Sequence, residues 1–149
     1  MAVAKAAAIF YSVRREGKMD MAIIKGGCVC GKVRFEAEGE PDRVGICHCL
    51  DCRKSHGALF YAAAIYGEGQ VTVAGETQMY DGRHFCPTCG SRVFNRSGNE
   101  VEVHLGSFDD IDRFQPSYEL WTIRREHWLP EFPVTQRFAT DRSAEGLDA

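Results

Sequence analysis

The sequence carries no excess of positive charge. Eighteen Lys and Arg stand against 21 Asp and Glu, giving a net charge of −3 with histidine neutral. A mildly acidic chain lacks the electrostatic footprint of a general nucleic-acid binder, so no nucleic-acid partner is expected. No run approaches the ~20 consecutive apolar residues of a membrane span, so no membrane partner is expected either. The apolar stretch Ala2–Tyr11 is interrupted by Lys5 and followed by Arg14-Arg15, where a secretory signal would place its small-residue cleavage site. No Ser-His-Asp set, phosphate loop or dinucleotide fingerprint is present. There is no internal repeat and no low-complexity tract. Cysteine is absent from the last sixty residues.

What is present is an ordinary globular composition over 149 residues, with 44% apolar and 26% charged side chains. That fits one domain with a hydrophobic core of its own. Residues 1–22 are expected to form a flexible leader. Met19 and Met21 lie just before the first patterned segment, so the start can lie later than Met1. A short Ala-rich helix or a targeting peptide is the competing reading. A single patterned domain is expected over 23–139, and the small, polar Thr140–Ala149 reads as a frayed tail.

Period-two patterning dominates the middle of the chain. Val33, Phe35 and Ala37 alternate with Arg34, Glu36 and Glu38. Val71 and Val73 alternate with Gln70 and Thr72. Val101, Val103 and Leu105 alternate with Glu100, Glu102 and His104. Such alternation marks half-buried strands. Val93-Phe94 and Tyr118–Ile123 supply further short strands, and glycines punctuate the runs. Only Asp51–Ala58 and Asp109–Phe114 suggest helical turns. The expected fold class is mainly β, with the cysteines carried on turns.

All seven cysteines lie between Cys28 and Cys89. An odd number cannot be fully paired in intramolecular disulfides, and the abundance is below that of a disulfide scaffold, roughly 8–10%. A reducing cytoplasmic setting is expected, in which clustered cysteines read as metal ligands or catalytic thiols. Cys28 and Cys30 are two apart, so in an extended segment both thiols share a face. Cys86-Pro87-Thr88-Cys89-Gly90 is the turn of half a zinc site. Together these four give the closed tetrahedral set of a structural zinc, with buried or free thiols as the competing reading. Cys47, Cys49 and Cys52 form a Cys-x-Cys-x-x-Cys run in which three sulfurs can face one ion. Three protein ligands leave one position for water or substrate, the pattern of a catalytic zinc. The competing readings are a second structural site closed by His48, His56 or a distant residue, and a Cys49–Cys52 redox disulfide. Arg53 and Lys54 place two cations beside these thiols, able to attract an anionic substrate. His48 points away from Cys47 if the segment is extended, as a supporting or exposed residue. His56 shares a helix face with Cys52 and is a candidate proton handler. His84, His104 and His127 lie in strand-like patterns and read as structural or surface residues.

Three motifs resemble a known family. They are Gly27-Cys28-Val29-Cys30-Gly31-Lys32-Val33-Arg34-Phe35, Cys47-His48-Cys49-Leu50-Asp51-Cys52-Arg53-Lys54-Ser55-His56-Gly57-Ala58 and Phe85-Cys86-Pro87-Thr88-Cys89-Gly90-Ser91. Their order and spacing, from about Gly26 to Trp128, are similar to those of the glutathione-dependent formaldehyde-activating (GFA) family, or CENP-V/GFA domain. The resemblance implies a β-tent fold of the Mss4-like type. It implies one zinc on Cys28, Cys30, Cys86 and Cys89, and a second on Cys47, Cys49 and Cys52. It also implies a carbon–sulfur lyase activity, run toward synthesis, in which glutathione and formaldehyde give S-hydroxymethylglutathione. From position alone, and not from the resemblance, His56 is the candidate proton shuttle, and Arg53 and Lys54 are the candidates to hold a carboxylate of the thiol substrate. The alternative function is a non-catalytic zinc-stabilised module that binds a protein partner. The open position on the three-cysteine set separates the two.

Overall fold

The structure, a computed structural model, describes residues 21–142. The expected leader lies outside them except for Met21 and Ala22, as does the expected tail beyond Arg142. In chain order the strands are β1 Ile23–Gly27, β2 Arg34–Glu38, β3 Arg43–Cys47, β4 Tyr61–Gly67, β5 Val71–Ala74 and β6 Gln78–Tyr80. They continue as β7 Arg83–Phe85, β8 Arg92–Ser97, β9 Glu100–His104, β10 Tyr118–Leu120 and β11 Gln136–Arg137. One short helix, α1 Leu50–His56, follows β3. The chain is mainly β, as the alternation predicts.

The strands form two sheets. A three-stranded antiparallel sheet runs in the order β1-β2-β5, and an eight-stranded sheet in the order β11-β10-β3-β4-β9-β8-β7-β6. The larger sheet is antiparallel except where β10 pairs in parallel with β3 and β11. Because side chains alternate across a strand, each strand of the large sheet has two different faces. Ala64 and Tyr66 of β4, Phe94 of β8, and Val101 and Val103 of β9 turn inward. They pack against Phe35, Ala37 and Val71 of the small sheet to make the main core. Burying a valine or phenylalanine of this kind stabilises the fold by about 1.5–3 kcal/mol. The opposite face of β4 and β9 carries Tyr61, Ala63, Ile65, Glu102 and His104, and it is this face that bears the site.

The helical turn expected over 51–58 forms as α1. Cys49 caps it, its sulfur accepting the Cys52 N–H at 3.3 Å, and Gly57 ends it at φ 59°. A left-handed residue at that point favours glycine. The helical turn expected over Asp109–Phe114 does not form. Asp112 has φ 59°, outside the right-handed helical region. The chain just before it is held by the small sheet instead: the Asp109 N–H donates to the Lys25 carbonyl, and the Asp109 carboxylate pairs with Arg34. The strand expected over Tyr118–Ile123 stops at Leu120, where Trp121 at φ 56° turns the chain into a 3₁₀ turn. Leu105 likewise leaves β9 for a 3₁₀ turn, and His127 lies exposed in a turn rather than a strand. At the other end, the Trp121 N–H donates to the Thr140 carbonyl at 3.0 Å and the Arg142 guanidinium lies 5.2 Å from the Tyr118 ring. The segment expected to fray from Thr140 is therefore held against the sheet as far as Arg142.

Candidate functional site

The first cysteine group joins the two sheets. Cys28 and Cys30 follow β1, and Cys86 and Cys89 form the turn after β7. Their four sulfurs lie within 4.8 Å of one another. Cys28 and Cys30 are 3.5 Å apart at sulfur, and Cys30 and Cys86 are 3.7 Å apart. A tetrahedral zinc with Zn–S bonds of about 2.3 Å requires sulfurs about 3.8 Å apart, so the donor set fits. The Val33 N–H donates to the Cys28 sulfur at 3.2 Å, as expected of a sulfur meant to carry negative charge. Cys28 and Cys86 are buried, and Cys30 and Cys89 are exposed.

The second group is built where β3 runs into α1. Cys47 ends the strand, Cys49 caps the helix, and Cys52 lies in its first turn. The three sulfurs also lie within 4.8 Å of one another. Among the described residues no histidine or carboxylate joins either set. Burial and charge act unevenly on the trio. The Cys47 thiol is pulled down to about 7, chiefly by a hydrogen bond with the Cys52 thiol, while that contact together with burial pushes Cys52 up. Three thiols this close cannot all give up their protons unless a cation sits among them. The chemistry of the set therefore suits a thiophilic ion such as zinc.

These cysteines line a cleft of about 630 Å³, within the range of small-molecule sites. Its floor is the outer face of the large sheet, with Tyr61 and Glu102 beside the cysteines. Arg43, Glu100, Tyr118 and Arg142 lie further along. Arg43 and Glu100 form a two-pronged ion pair, both contacts at 2.7 Å. That pairing raises the Arg43 guanidinium above its usual range and lowers the Glu100 carboxyl. Tyr61, Asn95 and Glu102 form a hydrogen-bonded set at the centre of the floor. The Tyr61 hydroxyl donates to Glu102 Oε2 at 2.7 Å, and the Asn95 amide donates to the same oxygen at 3.1 Å. His104 Nε2 lies 3.2 Å from Asn95 Oδ1.

The other predicted residues fall elsewhere. His48 is fully buried and excluded from the metal set, its Nε2 lying 3.1 Å from Glu119 Oε1. Glu119 is fully buried too and is also held by Arg125 and Arg137. This cluster ties the cysteine loop to β10 and β11. His56 stacks on the Tyr61 ring at 4.9 Å and meets His104 edge-on at 4.5 Å. It lines a second cleft of about 610 Å³, of which Tyr61 is also a wall, and not the cysteine cleft. Arg53 is held by the Glu126 carboxylate and the Arg124 carbonyl. Lys54 opens onto a third cleft beside Asp51 and Arg83. Tyr61, Glu102, Arg43 and Arg142 were not singled out in the sequence. The Glu100–Glu102–His104 alternation carried part of the signal, since it placed these three on one face.

A mainly β chain with two thiol groups that could each hold one metal ion is a β domain suited to metal binding. The sequence profile of one family, described as "GFA: Glutathione-dependent formaldehyde-activating enzyme", matches residues 23–124. The chain belongs to this family. It is also similar to a protein of Halomonas elongata named "Putative glutathione-dependent formaldehyde-activating enzyme". The two are 34% identical over 110 residues, covering 63% of this chain and 70% of that one.

Proposed function

We propose that the protein is a zinc-dependent enzyme of the carbon–sulfur lyase type. It joins a small thiol to an aldehyde, or reverses that step, with glutathione and formaldehyde as the favoured pair. The observation that carries this reading is the three-thiol group, which has no fourth donor among the described residues and faces a cleft of substrate size. A closed four-ligand set would serve structure alone; three ligands beside a cleft suit chemistry. Zinc held by Cys47, Cys49 and Cys52 would supply a Lewis acid that favours the thiolate form of a bound thiol or polarises an aldehyde oxygen. The first group, on Cys28, Cys30, Cys86 and Cys89, would hold a second zinc that fixes the two sheets together.

The chain's own residues supply the rest of the pocket. Arg142, a cation of this cleft held over the Tyr118 ring, is better placed than the paired Arg53 or Lys54 of the neighbouring cleft to meet a substrate carboxylate. His56, behind Tyr61, is placed to support the tyrosine rather than to reach the reacting atoms. Seven free thiols fit a reducing, cytoplasmic setting. No helix among the described residues is long and apolar enough to cross a membrane.

The test is the rate at which glutathione and formaldehyde exchange with their adduct, followed by NMR with and without the zinc-loaded protein. Exchange faster than the spontaneous background, at substoichiometric protein, is expected. A rate equal to background would remove the enzymatic reading and leave a zinc-stabilised binding module.

A further inference from the structure

Adding a thiol to a carbonyl moves one proton off sulfur and one onto oxygen, so the cleft needs a group that can take and return it. Glu100 cannot serve, because both its oxygens are engaged by Arg43. Glu119 is buried on the opposite face among His48, Arg125 and Arg137. Glu102 differs from both. It lies on the cleft floor at the centre of the sheet and has no cationic partner among the described residues. Its hydrogen bonds from Tyr61 and Asn95 both fall on Oε2. Oε1 accepts none from the described residues. The amide of Asn95 is itself fixed through Oδ1 by His104, so the carboxylate has a set orientation.

An unpaired carboxylate on a partly buried cleft floor is electrostatically costly. Burial first, and the Glu102 carboxylate after it, hold the Tyr61 hydroxyl in its protonated form, so it donates to Glu102. A merely structural floor would be better served by an apolar residue, as at Ala63 and Ile65 on the neighbouring strand.

We propose that Glu102 is the proton-transfer group of this cleft, oriented by Tyr61 and Asn95; this rests on the thiol–aldehyde reading above. In the addition, the S–H bond of the substrate breaks and its proton passes to Glu102 Oε1. The sulfur lone pair forms the C–S bond, and the carbonyl π pair moves onto oxygen. That oxygen takes the proton back from Glu102, giving the hemithioacetal and leaving the carboxylate as it began. The reverse sequence releases the aldehyde. No oxidant or reductant is required.

The experiment compares zinc-loaded wild type, Glu102→Gln, Glu102→Asp and Tyr61→Phe by kcat, thiol KM and metal content per chain. Glu102→Gln keeps the side-chain shape and can still accept from Tyr61, but it cannot take the proton. A fall in kcat of about 100-fold or more is expected, with thiol KM within a few-fold and both metals retained. Tyr61→Phe should give a smaller fall in kcat, and Glu102→Asp should recover part of the loss. Wild-type kcat in Glu102→Gln would overturn the assignment. So would loss of metal from the three-cysteine group in both Glu102 variants, which would show a structural role. Should Glu102→Gln fail to fold, Glu102→Asp decides: reduced kcat with both metals supports the assignment, and unchanged kcat overturns it. If wild type itself gives no rate above background, the functional reading falls and takes this one with it. If wild type is active and the Glu102 variants match it, only this one falls.

Discussion

His56 and His104 meet edge-on beneath Tyr61, and burial holds both neutral. His56 is lowered to about 4, by desolvation first and by Arg92 and Arg83 after it. His104 is lowered to about 3, by desolvation first and by His56 after it. Both lie below the ordinary histidine value of 6.5. Above that value the folded and unfolded chains hold no proton on these rings, and stability gains nothing from either. Below it the unfolded chain binds protons that the folded chain refuses, so stability falls from pH 6.5 down toward pH 4. Thermal unfolding scanned across that window should show a falling Tm, and His56→Gln should flatten the slope. Acid also strips metal from the thiols, but it does so in both proteins, so the difference between slopes isolates the ring. Parallel slopes would show that His56 does not carry the effect. Cys49→Ser removes one of three ligands and should lower the metal content from two ions per chain to one, read by elemental analysis.

At the scale of elements, β3 and β10 are the pair that shapes the cleft. They run in parallel with Gly45 opposite Tyr118, and the tyrosine ring lies across the glycine. A Cβ on Gly45 would sit 2.1 Å from the Tyr118 ring. Gly45→Ala should therefore force β10 outward and destabilise the fold by roughly 1–3 kcal/mol in urea unfolding, with weakened substrate binding at Arg142. An unchanged midpoint would mean that Tyr118 swings aside freely. This pairing joins residues far apart in the chain, and nothing in the local pattern announces it. What was legible was periodic or clustered. The alternation of Val101 and Val103 with Glu100 and Glu102 shows which face is core, and the cysteine spacings divide four from three. Illegible was which strands adjoin, and so which polar residues converge. Glu102 reads as an ordinary exposed residue until β4 and β8 bring Tyr61 and Asn95 to it. Arg53 and Lys54 look like substrate cations by sequence proximity to Cys52. Distant Glu126 instead engages one, and helix geometry turns the other to a different cleft. Asp109–Phe114 departs from its helical propensity because its tie to the small sheet depends on Lys25 and Arg34, which are distant in sequence.

For the molecule as a whole, the proposed reading gives structure to the four-thiol group and chemistry to the three-thiol group. The four-thiol group draws Cys28–Cys30, beside the small sheet, to the Cys86–Cys89 turn of the large one, across a long stretch of chain. A ligand bound only by the folded state adds its binding free energy to folding. Chelation of both ions should lower Tm sharply, and Cys86→Ser should reproduce most of that fall. Cys49→Ser should not, because its cysteine group lies within one strand–helix junction that β3 and β4 already hold. Equal losses of Tm in the two variants would mean that both groups are structural.

Whether chemistry belongs to the three-thiol cleft is decided by the rate of glutathione–formaldehyde adduct exchange in Cys49→Ser, measured on a sample shown to retain its fold and one metal ion per chain. Exchange at the spontaneous background rate is expected, against a rate well above it for wild type. Wild-type exchange by a folded Cys49→Ser protein carrying a single ion would contradict that expectation.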